Sequence, residues 1–146
     1  MTESETEAEI SKKDAAAIQL DWAIRLFLDH RAFVPAITLA GAAEELIGNQ
    51  LANKSSQSGL VSKLSEMSGL NEKEIRDNHL NKAKNWFKHW NNNSDGKSAK
   101  FNLESEAIQY IVRALTNFGL FYDEIPIEAP RFDAWLRNER PDLVKI

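Results

Sequence analysis

Pro35-Ala36-Ile37-Thr38-Leu39-Ala40-Gly41-Ala42-Ala43-Glu44-Glu45-Leu46-Ile47-Gly48 is the stretch on which the fold turns. At about 100° per residue, Ile37, Ala40, Ala43, Ile47 and Leu51 fall on one face of a helix. Pro35 suits the first turn of this helix, which is expected to run to about Ala52. Ala36, Ala40, Gly41, Ala42 and Ala43 are small, so a neighbouring helix can approach the backbone closely. Glu44 falls inside the apolar face, whereas Glu45 points away. A buried carboxylate must be paired, hydrogen-bonded or protonated, because a stranded charge is costly. Two readings of Glu44 therefore stand: a structural ion pair or hydrogen bond to a neighbouring helix, or a site residue with a raised pKa. In either case it is expected to face the helix that begins near Asn71.

Outward from this segment, every readable stretch has helical period and none sustains period two. A first helix is expected from Ser11 or Asp14 to Asp29, with Ile18, Trp22, Ala23, Leu26 and Phe27 at helical spacing. Leu20, Ile24 and Leu28 carry its apolar arc almost all the way round, leaving Asp21, Arg25 and Asp29 as a polar stripe. Such a helix is either central in a bundle or shared with a second subunit, and a homodimer is the expectation. A short helix over Leu60–Met67 follows. Asn71 and Glu74 then form a capping pair that opens a helix to about Trp90, stopped by Asn91-Asn92-Asn93-Ser94-Asp95-Gly96. Asn102 or Leu103 opens a last long helix with Ala107, Ile108, Ile111, Val112, Leu115 and Phe118 on one face. Pro126, Pro130 and Pro141 predict an extended segment beyond Tyr122, with one short helix near Phe132–Arg137. The expected architecture is all-α: an acidic disordered tail over 1–10, a compact bundle of about five helices over 11–122, and a C-terminal extension over 123–146.

Composition agrees with one globular domain: 146 residues, 42% hydrophobic and 27% charged. The absence of cysteine excludes disulfides, thiolate metal sites and thiol nucleophiles. The longest apolar stretch, Ala32 to Ala43, spans twelve residues, well short of the roughly 20 that a membrane-spanning helix needs. Glu3, Glu5, Glu7 and Glu9 precede the first basic residue, Lys12, which is the reverse of a secretory or mitochondrial leader. A cytoplasmic location with no membrane partner is the expectation. Those four glutamates account for the whole net charge of −4. Between Ile75 and Phe101 the balance reverses, with Arg76, Lys82, Lys84, Lys88, Lys97 and Lys100 against only Asp77 and Asp95.

On an ideal helix from Asn71 to Trp90, Ile75, Ala83, Trp86 and Trp90 share the apolar face, with His79 among them. Asn78, Lys82, Asn85 and His89 form a polar stripe beside it at offsets 0, 4, 7 and 11, and can line one groove. Lys84 and Lys88 lie further round, towards solvent. Other chemistries fail on spacing. Gly96-Lys97-Ser98 has Asn91 where a phosphate-binding loop needs its earlier glycine. The residues three before His30, His79 and His89 are Phe27, Arg76 and Trp86, so no Glu-x-x-His metal pair exists. No metal and no cofactor is expected.

Lys84-Asn85-Trp86-Phe87-Lys88-His89 resembles the signature of the HEPN superfamily, in which an arginine, often followed by asparagine, precedes a histidine by four to six residues. Ile37–Gly48 strengthens the likeness: it is similar to an uncharacterised bacterial helical group that pairs an Ala-Ala-Glu helix with a later Asn-x-x-Lys-His. The resemblance follows helix order over residues 15–120. It implies a dimerising helical bundle, whose relatives are either metal-independent RNA endonucleases of toxin or defence type, or non-catalytic binders of nucleotides and protein partners. Carried over, His89 would be the acid/base, Asn85 would orient phosphate or imidazole, and Lys84 or Lys82 would take the arginine's part. Lysine lacks the planar two-pronged grip of guanidinium, and an ideal helix sets Lys84 about 140° from His89. The expectation is therefore a non-catalytic module binding nucleic acid, nucleotide or protein in a bacterial defence or regulatory system. Its groove would draw on Asn78, Lys82, Lys88 and Glu44. The alternative is a ribonuclease using His89.

Overall fold

The computed structural model describes residues 6–51, 54–90 and 96–144. Seven α-helices make up these residues, and no strand occurs among them. Helix α1 (Lys12–His30) starts at Ser11, whose hydroxyl accepts the Asp14 N–H at 3.0 Å, and ends at Arg31 in the left-handed conformation with φ 50°. Helix α2 (Phe33–Leu51) returns antiparallel after a two-residue link. Helix α3 (Ser56–Ser68) is capped by the Ser55 hydroxyl and closed by Gly69 at φ 76°. There follow α4 (Glu72–Ile75), a π-helical turn (Arg76–Leu80) and α5 (Lys82–Lys88). The long helix α6 (Leu103–Tyr122) begins at Asn102, whose side chain accepts the Ser105 N–H. Helix α7 (Ala129–Glu139) and a 3₁₀ turn (Pro141–Leu143) end the described chain.

Helices α1, α2 and α6 enclose the main core, which holds Leu20, Ile24, Phe27, Ile37, Ala40, Tyr110, Ile111 and Ala114. The alanines of α2 let the other two helices close on it. A separate cluster of Val61, Ile75 and Leu80 joins α3 to the α4 region. Helix α7 is the short helix expected near Phe132–Arg137, whereas the helix foreseen over 71–90 is interrupted, so α4, the π turn and α5 stand where one of the five bundle helices was expected. Trp90 and His79, placed on its apolar face by ideal geometry, are exposed instead, Trp90 to 68%. The expected stop at Asn91–Asp95 and the first five residues of the expected tail lie outside the described residues.

The segment after Tyr122 is more than an extension. Phe132 of α7 is buried in the main core, meeting Phe27 edge-on at 5.7 Å, and Trp135 meets the same ring at 4.9 Å. Pro130 sits in the first turn of α7, where its missing N–H would have had no helical partner. The polar stripe on α1 is the docking rail. Asp21 accepts the Glu128 N–H at 2.9 Å, Arg25 donates to Glu128 at 3.0 Å, and Arg131 donates to Asp29 at 2.6 Å and to Glu128 at 2.7 Å. Ile18 and Trp22 on α1 are half exposed, and Ile18 shares a depression with exposed Ile125 and Ile127.

Hydrogen bonds from Arg131 hold the carboxyls of Asp29 and Glu128 below their ordinary values of 3.8 and 4.5. Both groups thus stabilise the fold fully above those ordinary values, and that contribution is lost as pH falls through the lowered native ones. Thermal unfolding across an acid series should show the melting temperature falling below about pH 4.5 in the parent chain. Arg131→Gln should fall less steeply over the same range, because Asp29 loses the hydrogen bond that lowers its pKa and Glu128 keeps only the one from Arg25.

Candidate functional site

The interruption after Leu80 has a specific cause. In an uninterrupted α-helix the Lys84 N–H would donate to the Leu80 carbonyl. Here the Tyr110 hydroxyl stands between them, donating to Leu80 O at 2.8 Å and accepting from Lys84 N at 3.2 Å. Burial raises the pKa of the Tyr110 phenol, so the hydroxyl keeps the proton it donates. Arg113, one turn along α6, donates to the same carbonyl at 3.2 Å. The backbone accommodates the insertion upstream, where Asn81 N–H reaches five residues back to Arg76 O at 2.8 Å. A side chain wedged into the ladder is one of the few causes of a sharp helix break.

Glu44 is buried, to 2%, but its direct partner is on α6 rather than on the 71–90 segment. Arg113 grips it with two nitrogens, Nη2 at 3.0 Å from Oε1 and Nε at 2.7 Å from Oε2. The guanidinium also donates to Asn81 Oδ1 at 3.3 Å and lies over the Tyr110 ring at 4.5 Å. Arg113 therefore links Glu44 to the interrupted segment at second hand. Asn117, a turn further along α6, donates to the Glu44 carbonyl at 3.1 Å.

Lys84 is turned inward, against the expectation that it faces solvent. Only 5% of it is exposed. Its stem crosses α2 at Gly41, where a Cβ would stand 2.5 Å from Lys84 Cδ, so this position accepts only glycine without displacing the lysine. The ammonium ends 3.5 Å from Glu45 Oε2. Glu45, which the helix wheel turns away from the core, is half exposed and serves as counter-ion to a buried lysine.

These side chains wall a polar cleft of about 400 Å³. Glu44, Glu45 and Asn49 come from α2, Ser55 and Gln57 from the start of α3, Arg76, Asn81 and Lys84 from the interrupted segment, and Asn117 from α6. Of the residues singled out in the sequence, Glu44 and Lys84 meet here, whereas His89, Asn85, Lys82 and Lys88 do not line the cleft. His89 lies beyond the end of α5 in extended conformation, φ −129° and ψ 146°, and is exposed. Lys82 and Lys88 are exposed and Asn85 is half-buried. The side chain of Asn78 lies outside the described residues. Among the described residues no three His, Asp or Glu side chains cluster so as to hold a metal ion.

Tyr110, Arg113, Asn117 and Asn81 escaped the reading of the sequence, and Arg76 entered it only as part of the basic segment. The first three recur at helical spacing beside the apolar face of α6, and that pattern was the available signal. Comparison with protein-family models, with curated proteins and with solved structures gave no match. The class of protein is thus defined by its own geometry: a helical bundle with a polar cleft built around a broken helix.

Removing one member of a buried ion pair strands the other, at a cost of about 3–5 kcal/mol. Glu44→Gln should lower the unfolding free energy by about 3 kcal/mol in urea denaturation, since Arg113 keeps its charge without a counter-ion. Glu45→Gln also removes the counter-ion of a buried cation, Lys84, but from a longer contact whose carboxylate end is half exposed, so it should destabilise by less than Glu44→Gln.

Proposed function

We propose that this chain is a HEPN-like, non-catalytic binding module of a bacterial defence or regulatory system, and that the cleft beside the π turn is where it takes a nucleotide-sized polar ligand. One observation carries the reading. Lys84, one of the two lysines that would replace the family's arginine, is buried in the cleft wall, while Lys82, the other, and His89 are exposed and outside it. Acid–base chemistry on a phosphate needs the proton carrier within hydrogen-bond reach of the reacting oxygens. A charge-stabilising lysine in the cleft and a histidine outside it do not meet that requirement on one phosphate.

The cleft suits binding. Its volume lies in the roughly 300–1,000 Å³ range of small-molecule sites, and several elements converge on it with fixed polar groups. RNA incubated with the protein should stay intact with or without chelator, and His89→Ala should change nothing. Cleavage lost in His89→Ala would instead establish the ribonuclease. A bound nucleoside or nucleotide at a hundredfold excess over Kd should stabilise the fold by about 2.7 kcal/mol, a rise of roughly 5–10 °C in Tm for a chain of this size. Arg76→Gln, at the half-exposed rim, should reduce that rise.

The module is further proposed to act as a homodimer. Support comes from apolar side chains left exposed around α1: Ile18 shares a depression with Ile125, 63% exposed, and Ile127, 81% exposed, and Trp22 is half exposed four residues on. Contiguous exposed apolar side chains of this kind mark association surfaces. Sedimentation equilibrium at micromolar concentration should give twice the chain mass, and Trp22→Glu should return it to the monomer.

A further inference from the structure

The cleft holds one charge that its surroundings satisfy poorly. Arg113 and Glu44 neutralise each other through a two-pronged pair, so the cations left to the cleft are Lys84 and Arg76. The carboxylate nearest Arg76 is Glu72 on the exposed α4, at 3.8 Å. Lys84 carries three N–H donors, and its side chain is 6% exposed, so water covers little of it. Its contact with Glu45 is 3.5 Å, well beyond the roughly 2.7–2.9 Å of a charge-assisted hydrogen bond. The lysine cannot easily swing out to solvent, because its stem is seated over Gly41. Glu45 can, since its side chain is 55% exposed.

Asn81 adds a neutral donor. Its Oδ1 already accepts from Arg113 at 3.3 Å and from Gln57 at 2.9 Å, which fixes the amide and leaves its NH₂ to offer the cleft. With Glu45 turned outward, Lys84 and Arg76 give the cleft a charge of +2, matched by the dianion of a phosphate monoester rather than by a single carboxylate. We propose that the cleft recognises a small ligand through a phosphate monoester held by Lys84 and Arg76, and that Glu45 is a resident counter-ion which the phosphate must displace. Glu45 is then a brake on affinity, built into the site by its place beside Glu44 on α2. This inference rests on the binding reading above and adds the ligand's charged group and the residue that competes with it.

The test is calorimetric titration of the full chain with adenosine, adenosine monophosphate and inorganic phosphate. The monophosphate should bind at least about tenfold tighter than adenosine, a difference of about 1.4 kcal/mol. Glu45→Gln, which keeps shape and removes the competing charge, should tighten monophosphate and phosphate binding several-fold and leave adenosine unchanged. Lys84→Met, which keeps an unbranched stem over Gly41, should weaken the two phosphates at least about tenfold. Lys82→Met, on an exposed lysine outside the cleft, should have no effect; circular dichroism would verify that each variant is folded. Equal binding of adenosine and its monophosphate would overturn the phosphate proposal while leaving the binding module standing. Unchanged or weakened phosphate binding in Glu45→Gln would overturn the counter-ion role. Failure of all three ligands to bind would remove both the inference and the nucleotide reading beneath it.

Discussion

The Tyr110 hydroxyl and the Arg113 guanidinium, pushed from α6 into the backbone ladder at Leu80, are the contacts on which the rest of this molecule depends. They replace the hydrogen bond that would have run from Lys84 to Leu80, and so divide what would have been one helix. Lys84 is then directed across Gly41 into the bundle, while His89 is left outside it in extended backbone. A buried unpaired carbonyl or N–H would be expensive, and here both are satisfied by side chains of a single neighbouring helix. The interruption is thus a stabilised feature of the core.

The same guanidinium joins three elements. Its two-pronged contact with Glu44 ties α6 to α2, and its bonds to Leu80 O and Asn81 Oδ1 tie α6 to the interrupted segment. Buried ion pairs add little net stability against a well-packed apolar alternative, because desolvation offsets most of the Coulomb attraction. Their value lies in specificity of arrangement: a carboxylate and a guanidinium in a low-dielectric interior tolerate few geometries. The cleft inherits that rigidity. Its floor is set by groups already committed to one another, whereas the Lys84–Glu45 contact is long and its Glu45 end is half exposed.

The family resemblance and the cleft emphasise different residues of one segment. The resemblance rests on Lys84, Asn85 and His89 as a linear motif, whereas the fold separates Lys84 from His89 and groups it with Arg76, Asn81 and Glu45. A charge separated from its acid–base partner can still hold an anion. The proposed binding without turnover rests on that separation rather than on lysine standing in place of arginine.

Helix positions were legible in the amino-acid sequence because apolar spacing, caps and breakers are local. Ser11, Asn71 and Asn102 cap where their side chains and spacing indicate, and α1, α2 and α6 lie within a few residues of the expected limits. The burial of Glu44 was legible for the same reason, since a wheel reports which face a residue occupies. Only tertiary structure decided its partner, because Arg113 is 69 positions away and nothing local marks the pairing. The polar stripe of Asp21, Arg25 and Asp29 was visible, but its use as the rail for α7 depends on Glu128 and Arg131, more than a hundred residues on. The break at Leu80 was only faintly marked in the sequence. Asp77, Asn78, His79 and Asn81 are weak helix formers, but what opens the ladder is a hydroxyl from another helix, present only once the bundle has closed.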